Sequence, residues 1–409
     1  MEEVTIYKGT PQDREDIIDF ANYVFSHSYR PHDFIRSVPR LYGEGQHTEG
    51  YHYLVKENGK IKAMLCAEPR VLQVGEYSLK MNYIGTVSVH PYTRNKGYMK
   101  LIMQQMLKEA EENGCVLSAL GGQRNRYGYY GYELGGMKLS FSINDKNIRH
   151  YCRDMQKLIT FTEIKEQDEA VLDKVFELCN RQAIKMSRPR NELFCMLHEW
   201  DSTPYAVMEN DIFKGYLVLA DNNLLEMRLE GENLLPQVLY SLFAEKNLNS
   251  IQIMAADYET ERLAALYDIS ENYRIETSDN IRIFDYSALL EAFLKMKAEK
   301  QGLLEGKINL EIDRRLFCLE VSNGRVQIVE KEIVKGTIEK ETIKRGIIEE
   351  ITVEKDTDLE KCHISLTGKE AVAFLTAPLS MKRRQAENQY PFLRSWFPLP
   401  LCIPVIDAC

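Results

Sequence analysis

No stretch of this 409-residue chain approaches the roughly 18 consecutive apolar residues that a membrane-spanning helix needs, and no membrane partner is expected. The opening residues, MEEVTIYKGT, lack the basic start and apolar core of a secretion signal, so a cytoplasmic location is expected. Cysteine has no pattern: nine residues, an odd number, are scattered from Cys66 to Cys409 without one C-x-x-C spacing. That argues against a disulfide framework and against a cysteine-based zinc site. The eight histidines are equally dispersed. His27 and His32 lie close together, but no acid or cysteine cluster completes a set, and no metal is expected. There is also no basic excess: 52 Lys and Arg stand against 61 Asp and Glu, a net charge of −9. General nucleic-acid binding, which needs a basic face, is therefore disfavoured, and a cationic substrate is compatible.

What is present begins with length. A chain of 409 residues, 44% hydrophobic and 28% charged, is too long for one ordinary core and implies two or three globular domains. Its most informative stretch is Thr86 to Met99, TVSVHPYTRNKGYM. Thr86 to Val89 has the β-branched content of a strand, and Pro91 ends it. Met99, Ile102, Met103, Met106, Leu107 and Ala110 then recur at helical spacing. Between strand and helix lies the basic turn Arg94-Asn95-Lys96-Gly97-Tyr98. The first N–H groups of a helix have no partner inside it and carry the positive end of its dipole, so an anion can bind there. Arg94 and Lys96 would add charge, and Gly97 would let a phosphate approach the backbone. The turn reads either as a pyrophosphate site or as an ordinary helix start with solvated basic residues.

The flanking segments follow in order. Residues 11 to 25 read as a helix, with proline at its start and Ile17, Ile18, Ala21, Val24 and Phe25 on one face. The next segment, to Gly50, is rich in aromatic and polar residues and reads as a further helix with a loop, or as an aromatic wall for a cation. Tyr51 to Val55 and Ile61 to Glu68 flank Asn58-Gly59, a hairpin signal, and the meander continues through Arg70 to Val74 and Tyr77 to Tyr83. A helix from Gly97 to Asn113-Gly114 and a buried strand from Cys115 to Leu120 complete the first unit. A loop with four tyrosines then follows, from Gly121 to Glu133.

From about residue 150 the order repeats. Helices are expected over 165–186 and 190–199, and strands at Ala206 to Met208, Gly215 to Ala220 and Leu224 to Leu229. A helix at Leu234 to Phe243 and a strand at Ile251 to Met254 come next. Here Glu230, Gly231 and Glu232 replace the basic turn and would repel phosphate. Ser287 to Met296 reads as a linking helix. Strands follow at Lys307 to Ile312, Arg315 to Val321 and Arg325 to Glu330, then a charge-rich run, Lys331 to Asp358, read as a solvated strand pair or loop, and a helix after Thr367. The tail, Trp396 to Cys409, is apolar and stiffened by prolines, so it is expected to be buried.

The pattern V-x-V-x-P-x-x-R-x-x-G in Val87 to Gly97 resembles the coenzyme A pyrophosphate loop of the GNAT superfamily of N-acetyltransferases. Met99, where glycine or alanine is common, resembles the Eis (enhanced intracellular survival) branch, as does Tyr127-Gly128-Tyr129-Tyr130-Gly131-Tyr132. The resemblance implies an α+β protein of tandem acetyltransferase domains. A catalytic GNAT domain would span 1–150 and a degenerate GNAT-like domain 151–286. A sterol-carrier-like domain would span 287–409, its tail reaching the active site. It implies that acetyl-CoA is held by Val87, Ser88 and Val89 and by Arg94, Asn95, Lys96, Gly97, Tyr98, Met99 and Lys100, with Gly122 and Gln123 beside them. Tyr127 would be the general acid, since a phenol stays protonated at neutral pH and can give its proton to the departing thiolate. The α-carboxylate of Cys409 would accept the proton of the amine or orient its ammonium, with Asp407 as a substitute.

The acceptor implied is a cationic, aminoglycoside-like amine, and the assembly a homo-oligomer, in this branch a hexamer. Polyamines and lysine side chains fit an acidic protein equally well. Two other readings stand beside these: ping-pong transfer through Cys115, and a regulatory module that binds acetyl-CoA without turnover.

Overall fold

The computed structural model describes residues 5–28, 30–221, 223–332 and 363–408. Cys409, and all of the charge-rich run beyond residue 332, lie outside the described residues.

The first sheet is built by local chemistry. Strand β1 (Ile6–Lys8) pairs antiparallel with β2 (His52–Glu57), which turns through Asn58 (φ +50°) and Gly59 (φ +76°) into β3 (Lys60–Val74). Two left-handed residues in a two-residue loop match the twist of the strands they join. β3 pairs over its length with β4 (Tyr77–Val89), so the expected pair of shorter strands on each side of Gly75 forms one long hairpin. β4 lies parallel to β5 (Leu117–Leu120), and β6 (Glu133–Gly135) closes the edge after one inserted strand. Helix α1 (Arg14–Ser28) covers one face of this sheet and helix α2 (Tyr98–Glu112) the other. Strand alternation sorts the core accordingly: Tyr53, Val55, Ala63 and Leu65 pack with Ile102, Met103 and Met106, whereas Leu54, Met64 and Cys66 pack with Ile17 and Ala21.

The inserted strand, Asp279–Ile283, comes from far along the chain and pairs with β5 and β6. In exchange Lys138–Asn144 leaves the first sheet and pairs between Ser250–Ala255 and Asn272–Glu276. Hydrogen bonding therefore exchanges strands across the boundary expected near residue 150: Lys138–Asn144, before it, joins the central region, and Asp279–Ile283, after it, joins the first sheet. A second sheet of four strands, Asn223–Leu229, Ile212–Ala220, Thr203–Glu209 and Ile159–Glu163, lies in the central region.

Two further expectations change. The helix expected to reach residue 186 ends at Asn180, and Ile184–Met186 joins the edge of β3, with Met186 opposite Leu72. The linking helix is Tyr286–Gln301 and is core: Leu289, Leu290, Phe293 and Leu294 are buried between the first sheet and a sheet formed by Gly306–Ile312, Arg315–Ser322, Arg325–Glu332 and Ile364–Leu366. Phe374, Trp396, Phe397, Leu399 and Leu401 fill the same cluster, so the apolar tail is buried as expected. The seven described cysteines are free thiols. Among the described residues no helix is long and apolar enough to cross a membrane, and no His, Cys, Asp or Glu group is arranged to hold a metal ion.

Candidate active site

A cleft of about 1070 Å³ opens where β4 and β5 part. Their parallel pairing runs from Met81 with Leu117 to Ile84 with Leu120, and β4 then continues alone on that side to Val89. The edge of Gly85 to Val89 toward the cleft thus has no strand beside it among the described residues. Opposite, Ser88 pairs with Met64 and Gly85 with Cys66, which leaves Thr86 and Val87 facing the single residue Leu65. This β-bulge turns the strand at the cleft. Thr86 is held there at φ +50°, an unusual value for a β-branched residue. Burial pushes the His52 imidazole down to about 4, so at neutral pH it is uncharged. Its Nδ1 faces the Thr48 carbonyl at 3.2 Å, which leaves Nε2 to accept from the Tyr42 hydroxyl (3.0 Å); Tyr42 in turn accepts from Thr86 (2.6 Å). This chain of hydrogen bonds pins the bulge.

Beyond Val89 the chain makes a short turn and enters α2. Gly97, at φ +81°, is its N-cap, and a side chain there would meet open space but a strained backbone. The N–H groups of Tyr98, Met99 and Lys100 precede the first i to i−4 bond, Leu101 to Gly97, and so lack helical partners. Arg94, Lys100 and Arg126 line the cleft, and none of its described lining residues is acidic. The far wall is Gly121, Gly122, Gln123, Tyr127 and Tyr130, with Tyr127 buried in the turn that follows β5. Gly122 has φ +131°, and a Cβ on it would lie 2.8 Å from the Tyr127 ring, so glycine is required for the ring to reach the wall.

Of the residues read from the sequence, Val87, Ser88, Val89, Arg94, Asn95, Gly97, Tyr98, Met99, Lys100, Gly122, Gln123 and Tyr127 all line this cleft. Lys96 does not: its ammonium pairs with Glu57 on the β2–β3 hairpin at 2.8 Å, and that hydrogen bond raises its pKa. Cys115 lies outside the lining, and burial pushes its thiol up, the opposite of an activated nucleophile. Tyr83, Tyr130, Arg126 and Trp200 were not legible as site residues. Trp200 comes from the central region, and nothing near it in sequence marks the cleft. Gly97→Ala is expected to weaken acetyl-CoA binding about tenfold, the strain of one left-handed residue, whereas Lys96→Ala should leave it unchanged; calorimetric titration checks both.

The tail reaches the same cleft through Val405 and Ala408. The Trp200 indole N–H donates to the Ala408 carbonyl at 3.1 Å. The fully buried Asp407 accepts from Arg70 Nη2 (2.9 Å) on β3 and from Arg188 Nε (3.0 Å) and Nη2 (2.8 Å) of the central region. Both its oxygens are thereby occupied, so Asp407 anchors the tail and is not free to serve as the substitute base. Arg188 also grips Glu226 through two bonds of 2.8 and 2.6 Å. Burial raises the Glu226 carboxyl, but the charges of Arg188 and Arg228 and the hydrogen bonds from Arg188 and Tyr216 outweigh it and hold it at about 2. That is below the ordinary value of about 4.3 in an unfolded chain. Its stabilisation is therefore complete above the unfolded value and is lost as pH falls toward 2. Thermal melts from pH 5 to pH 2 should show Tm dropping in that window, and Glu226→Gln should flatten the drop.

A splayed parallel strand, a glycine-capped helix start and a phenol across the gap meet in the first unit, and residues 5–135 match the family model described as Acetyltransferase (GNAT) domain. Among solved structures the chain is similar to a GCN5-related N-acetyltransferase from Anabaena variabilis, at 15% identity over 100% of both chains and a TM-score of 0.66. It is also similar to one from Kribbella flavida, at 14% identity over 98% of this chain and 99% of that one, with a TM-score of 0.61. Eis1 from Mycobacterium abscessus matches at 13% identity over 82% of this chain and 86% of its own, with a TM-score of 0.55. These likenesses carry the shared fold. No curated protein matches the sequence.

Proposed function

We propose that the protein transfers the acetyl group of acetyl-CoA directly to a primary amine of a cationic small molecule, aminoglycoside-like in class. The pyrophosphate rests on the N–H groups that open α2, between Arg94 and Lys100, and the thioester carbonyl lies along the free edge of Val87 to Val89. The amine attacks the carbonyl carbon, and Tyr127 protonates the leaving thiolate. The α-carboxylate of Cys409, with an ordinary pKa of roughly 3.5, receives the amine's proton or orients its ammonium. Residues 1–135 with the strand at 279–283 form the catalytic unit, and the central region is a GNAT-like unit without a coenzyme site. In it Glu232, in place of a basic turn, is bound to Arg262 at 2.8 Å. The remainder is a sterol-carrier-like unit in a cytoplasmic homo-oligomer, a hexamer by the same resemblance.

One observation carries this reading: twelve residues chosen from the sequence for coenzyme binding and proton donation meet on a single cleft. The test is to incubate the protein with acetyl-CoA and kanamycin, spermidine or a lysine peptide while following free thiol. Release that depends on an amine supports the transferase. Tight acetyl-CoA binding with no release across the panel would leave the regulatory module as the better reading.

A further inference from the structure

Two phenols flank the point where β4 and β5 part. Tyr83 stands on β4 opposite Ala119, one pair before the ladder ends, and lines the cleft although it is 1% exposed. Two glycines continue β5 across the gap. A Cβ on Gly121 would lie 3.9 Å from the Tyr83 hydroxyl oxygen, and one on Gly122 lies against the Tyr127 ring as described above. Adjacent residues thus hold both phenols on one stretch of wall. Behind the first is a carboxylate: the Tyr83 hydroxyl donates to Asp279 Oδ1 at 2.9 Å, and Ser278 donates to Asp279 Oδ2 at 2.7 Å. Asp279 opens the strand inserted between β5 and β6, which the exchange between units delivers to this site.

The groups facing Asp279 are Tyr83 from β4, Ser278 beside it, Lys138 from the departing strand and Cys402 from the tail. Burial pushes the Asp279 carboxyl up against the opposing pull of the two hydroxyls and Lys138. A carboxylate made more basic by burial, behind a hydroxyl that reaches the cleft, suits deprotonation of an amine.

We propose that Tyr83 and Asp279 form the proton outlet for the acceptor amine, with Tyr83 a further catalytic residue of the acyl transfer on which this assignment rests. As the amine nitrogen bonds to the acetyl carbon, its N–H proton moves to the Tyr83 oxygen and the phenolic proton of Tyr83 moves to Asp279 Oδ1. The C–S bond breaks with its electron pair on sulfur, which takes the proton of Tyr127. The proton left on Asp279 returns through the cleft to the Tyr127 phenolate, so the cycle closes with no external acid or base. The Cys409 carboxylate then serves to orient the neutral amine by accepting its other N–H.

The test compares wild type, Tyr83→Phe, Asp279→Asn and Asp279→Glu with the amine that releases most thiol in the panel above. Tyr83→Phe and Asp279→Asn should each lower kcat about 10²-fold and remove the acid limb of its pH profile, while the Kd for acetyl-CoA and the Tm hold. Asp279→Glu should recover part of kcat and regain the limb. Unchanged kcat and pH profile in Tyr83→Phe and Asp279→Asn would overturn the relay while leaving the transferase intact. So would losses of kcat matched by losses of acetyl-CoA affinity or of Tm. If wild type released no thiol with any amine, the transferase reading itself would fall and take the relay with it.

Discussion

Replacing Tyr127 by phenylalanine is expected to lower turnover about 10²-fold, at the low end of what a positioned general acid contributes, with no change in acetyl-CoA affinity. The substitution removes one oxygen and keeps the ring. The ring's contacts, edge-on to Tyr132 at 6.4 Å and close over Gly122, would persist, so the wall of the cleft keeps its shape. In the proposed function the coenzyme is gripped elsewhere, on the opening of α2, so binding should not register the loss. Only the departure of sulfur needs the proton. Steady-state kinetics together with calorimetry separates the two effects, and a fall in affinity as large as the fall in kcat would show the phenol to be part of the binding surface instead.

The largest effect on stability should come from Asp407→Ala. Asp407 lies between two buried guanidinium groups, Arg70 and Arg188, whose side chains are 4% and 7% exposed. Removing the carboxylate takes one of two counter-ions from each, leaving Arg70 with Glu68 alone and Arg188 with Glu226 alone in a place that water reaches poorly. Breaking a buried pair in this way costs about 3–5 kcal/mol, or roughly 6–20 °C in Tm for a domain of this size class. The same change loosens the tail, whose end keeps the Trp200 contact to Ala408 and the buried seat of Ile406. Turnover should fall with the tail displaced, whereas acetyl-CoA binding at α2 should persist. Calorimetric melts and single-turnover kinetics check the two halves separately. A variant with wild-type Tm would mean that the clamp is dispensable.

The turn at Asn58-Gly59, the helix start at Gly97 and the loop around Gly122 could be read because each is decided by a few neighbouring residues and their backbone preferences. Lys96 misled for a related reason: a lysine in a basic turn is read as facing the anion, while its actual partner, Glu57, is 39 residues away across a hairpin. Ile184–Met186 carries the apolar spacing of the helix before it, yet the open edge of β3 captured it as a strand. Ser287 to Met296 reads as a connector, yet the helix Tyr286–Gln301 has apolar residues around its whole circumference, the pattern of a helix buried on several sides.

By itself the sequence determined the basic turn that opens α2 at Gly97, the strand Thr86 to Val89 before it and the tyrosine-rich loop after β5. All three lie within 50 residues of one another, and their chemistry depends on backbone conformation that local residues dictate. Only the tertiary structure decided what stands opposite them. Tyr83 meets Asp279, Asp407 meets Arg70 and Arg188, and Trp200 meets Ala408 because one strand is exchanged between units and an apolar tail finds its burial beside the first sheet. Such partners are separated by nearly 200 residues or more. No local preference encodes them: they follow from the sum of buried area and paired charge over the whole chain.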